Sequence, residues 1–309
     1  MNYSRRNIRI KVMQALYACL QSPDTEIQVQ IKGLHKSIEN TDTLLLYNLY
    51  LLVRVAAYAH EDMQIQDAKL LQSNKRLNVS SRIYDNEVLQ SVLESPLYVK
   101  YVEKSKPHLL CDDDLIRRVY MNMCGDEKYV AYNALTSPTE KDHTGILMHV
   151  YTDHLYNNED VSTLTDEHFP TWADEHTFIM RRMEEVLESK SYTLDEKELK
   201  EADDFARRLF EITRDNDNAF NEMIIPKLKG WDADRIAQID MIVMKMCLSE
   251  LLYFPIIPVK VSINEYIDIS KLYSTPKSKD FVNGVIDKIK NELLANNEIR
   301  KQGRGLVND

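Results

Sequence analysis

The apolar residues of this chain recur at three- and four-residue intervals along most of its length and never in strict alternation, so the pattern predicts helices and no strands. The first predicted helix runs from about Arg5 to Leu20, with Ile10, Met13, Leu16, Tyr17 and Leu20 on one stripe and Gln21-Ser22-Pro23-Asp24 as its stop. A second covers about Leu44 to Ala59, where Leu45, Leu49, Leu52, Val53 and Ala56 repeat. Shorter periodic segments follow at residues 87–93, 115–132 and 145–156, and Pro96, Pro107, Pro138 and Pro170 are expected between helices. Two more helices are predicted at residues 199–212 and 219–225, then a loop at Gly230-Trp231 and a long apolar helix from about Arg235 to Tyr253. Pro255 and Pro258 bracket a connector to Ser262, read as the cap of the next helix with Glu265 reaching back in a capping box. That helix ends near Tyr273, and Ser274-Thr275-Pro276 separates it from a last one at about 278–294.

Composition fits an all-α reading, with only seven glycines in 309 residues and 44% hydrophobic residues, enough for one large core or two smaller ones. The most apolar stretch, Ile236 to Phe254, is interrupted by Asp240, Lys245 and Glu250 at intervals a bilayer would penalise, so no membrane span is expected. At the N-terminus, Arg5, Arg6 and Arg9 precede a segment that holds Lys11 and Gln14 and lacks a small-residue cleavage site; a secretory signal is not expected. The cysteines, Cys19, Cys111, Cys124 and Cys247, are widely separated and form no Cys-x-x-Cys pair. They indicate neither a zinc site nor a disulfide framework, and a cytoplasmic location with free thiols is the expectation.

The formal charge of −10 opposes polyanion binding if charge is spread evenly, because phosphate contacts dominate nucleic-acid affinity. It is not even. Tyr151 to Asp204 carries 16 acidic and 5 basic residues, a balance of −11, which leaves the rest of the chain near +1. The first acidic residue is Asp24, so Arg5, Arg6, Arg9 and Lys11 stand unopposed within their own segment.

Those arginines, the following Ala15-Leu16-Tyr17, Ile263-Asn264-Glu265, Lys271 and Phe281-Val282-Asn283-Gly284 behind the Asp240–Glu250 helix together resemble the transcription antitermination factor NusB family. The resemblance spans residues 1 to about 20 and about 196 to 293; Ile8 and Lys245 stand where the family usually has alanine and arginine. It implies a fold of two packed helical bundles, without cofactor, metal or catalytic residues, and here with an additional helical region. The expected organisation is a discontinuous RNA-binding domain of residues 1–22 and 191–300, an acidic helical region of 23–190, and a flexible tail of 301–309. It also implies a transcription antitermination role: binding of single-stranded boxA-like RNA in ribosomal-RNA leader transcripts, together with the ribosomal protein NusE and the RNA polymerase antitermination complex, with no small-molecule substrate.

Each candidate has a functional and a plain reading. Arg5 and Arg9 share a face at a helix start where cations are mildly unfavourable, and a bound polyanion would reverse that cost; the plain reading is a solvated basic tip. Arginine's planar fork suits phosphate and stacked bases. Phe281 either staples the last helix to the core or stacks a base, with Lys277 and Lys279 as phosphate contacts or ordinary surface lysines. Asn264 and Glu265 read as a cap and its partner, and Asn283-Gly284 as a close helix approach. Asp112-Asp113-Asp114 near His108 and Cys111 makes a poor metal site, since consecutive acids diverge on a regular element. His143, His149 and His154 lack a paired-glutamate motif, and no glycine-rich phosphate loop or Gly-x-Ser-x-Gly occurs, so no enzyme is expected. The alternative from another class is a helical protein–protein adaptor that keeps the fold without RNA binding.

Overall fold

A computed structural model describes residues 3–68, 79–190, 196–228 and 236–306, and among these it is all-α, with no strand. In chain order the helices are α1 (Arg5–Gln21), α2 (Ile27–Asp67), α3 (Glu87–Leu93), α4 (Pro96–Ser105), α5 (Asp113–Cys124), α6 (Glu127–Ala134) and α7 (Glu140–His149), the last followed by a π-helix at Val150–Tyr156. Then come α8 (Glu159–His168), α9 (Trp172–Ser189), α10 (Glu196–Asp215), α11 (Asp217–Ile224), α12 (Gln238–Tyr253), α13 (Val259–Tyr273) and α14 (Ser278–Ala295). The expected loop at Gly230-Trp231 and the helix start at Arg235 lie outside the described residues.

The helices form two compact units, one of Tyr3–Ile38 with Glu196–Asp309, the other of Glu39–Asp195. The division falls inside α2, past the boundary placed after residue 22, because α2 carries Leu34 and Ile38 into the core of the first unit. That core gathers Val12 and Met13 of α1, Leu209 and Phe210 of α10, most of α12, and Val282, Val285 and Ile286 of α14. The second core runs from Leu44 to Leu187, with Tyr47, Tyr120, Tyr129 and Tyr151 among its fully buried side chains.

Local chemistry starts these helices where backbone donors need acceptors. Asn86, Asp126 and Asn158 each accept two backbone N–H groups at the starts of α3, α6 and α8, and Thr139 and Asp142 close a capping box on α7. Asp112 caps α5 in the same way, and Asp113 accepts a 2.8 Å bond from Arg54, so the acidic triplet is a helix start. Pro96 does not separate helices as expected. It occupies the first turn of α4, where the missing N–H would be unpaired in any case. The expected single segment at 115–132 is two helices, broken where Asp126 begins α6.

The tail expected from 301 is tethered over its described part. Lys301 Nζ donates to the carbonyls of Glu250 and Phe254 at 2.9 and 3.0 Å, and the Gln302 N–H donates to that of Pro255 at 2.9 Å. Gly305 lies so close to Pro255 that a Cβ would stand 2.0 Å from its carbonyl oxygen, which only glycine permits.

Candidate nucleic-acid interface

All the sequence-predicted site residues fall in the unit of Tyr3–Ile38 and Glu196–Asp309. In that unit α1 packs against α10 and α12, and α13 and α14 pack against α12 and each other. Side-chain chemistry then separates the candidates sharply.

Arg9 is buried and belongs to the core. Its Nε and Nη2 donate to the two oxygens of Glu250 at 2.6 and 3.0 Å, a bidentate pair, and its Nη1 stands 3.6 Å from Glu265. Glu250, itself fully buried, also accepts the Ser262 hydroxyl at 2.8 Å and the Tyr266 hydroxyl at 2.7 Å. A charge this deep is tolerated only when paired and hydrogen-bonded. Burial works against the Arg9 cation, and the Glu250 carboxylate more than offsets it, so its pKa lies above the ordinary arginine value. Arg9 is therefore corrected from a phosphate contact to the cationic half of a closed network.

Arg6 is half-buried and shared between Glu265, at 2.9 Å through Nε and Nη2, and Asp268, at 2.8 Å. Lys11 is buried, with Nζ donating to the Ser37 carbonyl at 2.8 Å. Arg5 lies with its guanidinium carbon 5.0 Å from the Phe205 ring centroid, in a pocket it shares with Glu198 and Glu201. The segment that is unopposed along the chain is thus opposed in space. Neutralisation by Glu250, Glu265 and Asp268 corrects the expectation of an open cationic tip.

The motif residues change meaning as well. Helix α13 begins at Val259 after Pro258, so Ser262 lies inside its first turn and caps nothing; its hydroxyl goes to Glu250. Glu265 receives Arg6 instead of reaching back to the backbone, and Asn264 is exposed. Phe281 is 7% exposed and packs in the core, which excludes base stacking in this conformation. Asn283 and Gly284 are exposed, and a Cβ on Gly284 would meet nothing within 4 Å, so no helix approaches there.

Lys277 and Lys279 are exposed at the start of α14, as is Lys271 in the last turn of α13. Among the described residues no hydrogen bond or ion pair engages these three side chains. Their backbone is fixed from beneath by Asp240, one of the charges that interrupt the apolar helix: buried, it accepts the Ser270 hydroxyl at 3.1 Å and the Ser278 hydroxyl at 2.6 Å, joining α12, α13 and the first residue of α14. Ser278 Oγ in turn accepts the Thr275 N–H at 3.2 Å. The arrangement holds three lysines at one hydrogen-bonded helix junction.

The fold is all-helical over the described residues, and three exposed lysines stand at the hydrogen-bonded junction of α13 and α14. The profile of the NusB family matches residues 171–291, which takes in α9 and leaves out α1. Among curated proteins the chain is 44% identical over 104 residues to the transcription antitermination protein NusB of Salinibacter ruber, covering 34% of this chain and 65% of that protein. It is 40% identical over 106 residues to the protein of that name in Chloroherpeton thalassium, 34% of this chain and 50% of the relative. With that of Clostridium botulinum it shares 35% identity over 111 residues, 36% of this chain and 76% of the relative. The chain belongs to the NusB family. It spans 65% and 50% of the length of the first two relatives, and no solved structure matches it.

Proposed function

We propose that this protein is a non-catalytic transcription antitermination factor that binds single-stranded, boxA-like leader RNA with a NusE-type ribosomal protein as partner. Family membership carries the reading. The lysine corner of Lys271, Lys277 and Lys279 supports it, because exposed cations without internal carboxylate partners are the ones whose counterions a phosphate chain can displace. Arg5 flanks the same unit with a half-exposed guanidinium stacked on Phe205, and Arg6 would have to exchange Glu265 or Asp268 for a phosphate. Arg9 and Phe281 hold the fold in this reading and do not touch RNA.

Fluorescence anisotropy with a boxA-like RNA tests it. Three engaged phosphates give a log–log salt dependence with a slope of about −2. Replacing Lys271, Lys277 and Lys279 with alanine should abolish most of that slope while leaving the melting temperature unchanged. A flat salt response of the unaltered protein sinks the reading.

The neutralisation of Arg6 and Arg9 favours a second reading, an adaptor that binds protein and no RNA. Retention of a NusE-type partner from ribonuclease-treated extract, without RNA binding by the isolated chain, would decide for it.

A further inference from the structure

Helix α7 ends at His149 and continues as the seven-residue π-helix Val150–Tyr156, in the unit of Glu39–Asp195. Helices of this kind are rare, and they occur frequently at functional sites. Wider winding also changes which side chains share a face. His149 and His154 would point about 140° apart on an α-helix, yet here their ring centroids are 5.6 Å apart. Both rings turn toward Asp126: His149 Nε2 lies 2.9 Å from Oδ1, and His154 Nε2 lies 3.5 Å from Oδ2.

Behind His149, its Nδ1 lies 2.7 Å from Asp153 Oδ2, with the exposed Lys128 Nζ at 3.4 Å from the same nitrogen. A neutral imidazole carries a single N–H. With a carboxylate within bonding distance of each ring nitrogen, one contact sets lone pair against lone pair unless a further positive charge is present. A proton on His149 would supply that charge, but to His149 alone. It leaves the buried Nε2 of His154 without a hydrogen-bond partner, since 3.5 Å is too long for a good one. Asp126 Oδ1 also accepts the Lys128 and Tyr129 N–H groups at 2.8 and 3.0 Å.

We propose that Asp126, His149 and His154 form a binding site for a divalent transition-metal ion, zinc or a cation of similar borderline softness. One carboxylate oxygen and two imidazole nitrogens lie within 4.8 Å of one another. Ligands about 2 Å from a tetrahedral zinc stand about 3.3 Å apart; the two Nε2 atoms approach Asp126 to 2.9 Å at Oδ1 and 3.5 Å at Oδ2, close enough for small side-chain rotations to reach that spacing. One cation between them answers both unmet demands together, and a fourth position remains open to water, as in zinc sites with three protein ligands. Asp153 then acts from behind, fixing the His149 tautomer so that Nε2 faces the ion.

Calorimetric titration of the full-length, chelator-treated protein with zinc chloride tests the site and should show one equivalent bound. His154→Gln removes a nitrogen that bonds to nothing in the fold, so it should weaken zinc binding at least about 100-fold without lowering the melting temperature of the metal-free protein. Asp153→Asn should weaken it about 10- to 100-fold, and His168→Gln, an exposed histidine of the same unit, should change nothing. Cobalt chloride should give a visible absorption band with the unaltered protein that is absent from His154→Gln. Zinc affinity equal in the unaltered protein and in His154→Gln, or no stoichiometric binding at all, overturns the proposal and leaves a proton on His149 as the account. Neither readout involves RNA or a protein partner, so the outcome is independent of the antitermination reading.

Discussion

Two carboxylates, Glu250 buried and Asp126 partly exposed, show how differently the two units handle charge. Glu250, in the unit that holds α12, has its oxygens filled by Arg9, Ser262 and Tyr266. Asp126, in the other unit, is bonded by backbone and His149 on one oxygen, while its second faces a histidine nitrogen too far away to be satisfied. The first arrangement is closed: every charge has its counter-charge, and nothing remains for a ligand. The second is open, with the buried Nε2 of His154 left without a hydrogen-bond partner. Geometry around a titratable cluster, more than its residue types, separates scaffold from candidate site.

The same chemical change applied to each should give very different results. Glu250→Gln strands a buried guanidinium, and loss of one partner of such a pair costs about 3–5 kcal/mol, read as a lower midpoint in urea. Ser278→Ala takes a donor from Asp240, the other buried carboxylate of that unit, and should cost about 1–3 kcal/mol. Asp126→Asn keeps an acceptor able to cap α6 and loses only partly exposed contacts, so the metal-free protein should change by less than about 1 kcal/mol. A cost above that would mean the open cluster is as structural as the closed one.

The finest test is the pH response of Lys301, whose amine donates to the carbonyl of Glu250 and whose pKa burial lowers to about 8, against an ordinary value of 10.5. Below about pH 8 the amine is protonated folded and unfolded, and its contribution is constant. Between there and the ordinary lysine range the unfolded chain holds the extra proton, so stability rises with pH. Lys301→Met should flatten that rise in thermal melts collected across the window.

Periodicity made much of the fold legible. Helix α1, expected over about 5–20, is Arg5–Gln21, and α14, expected over about 278–294, is Ser278–Ala295. The front half of α2 was not read, because residues 27–43 are mostly polar and bury only Leu34, Ile38 and Thr41. Partners of the arginines were equally invisible. Glu250, Glu265 and Asp268 lie 241 to 262 residues further along, and no local window reports that Arg6 and Arg9 meet them. The Asp126–His149–His154 cluster escaped for a related reason: its two histidines converge only because the backbone winds as a π-helix, which no residue pattern announces.

The distance in sequence between Arg9 and Glu250 also sets an order of assembly. During synthesis at about 5–20 residues per second, α1 leaves the ribosome some 10–50 s before its counter-charge exists. Residues 39–195 form a contiguous stretch that can collapse in that interval, while the nascent first helix carries bare guanidinium groups in water. The last act of folding is then the capture of an early-made segment by one made much later.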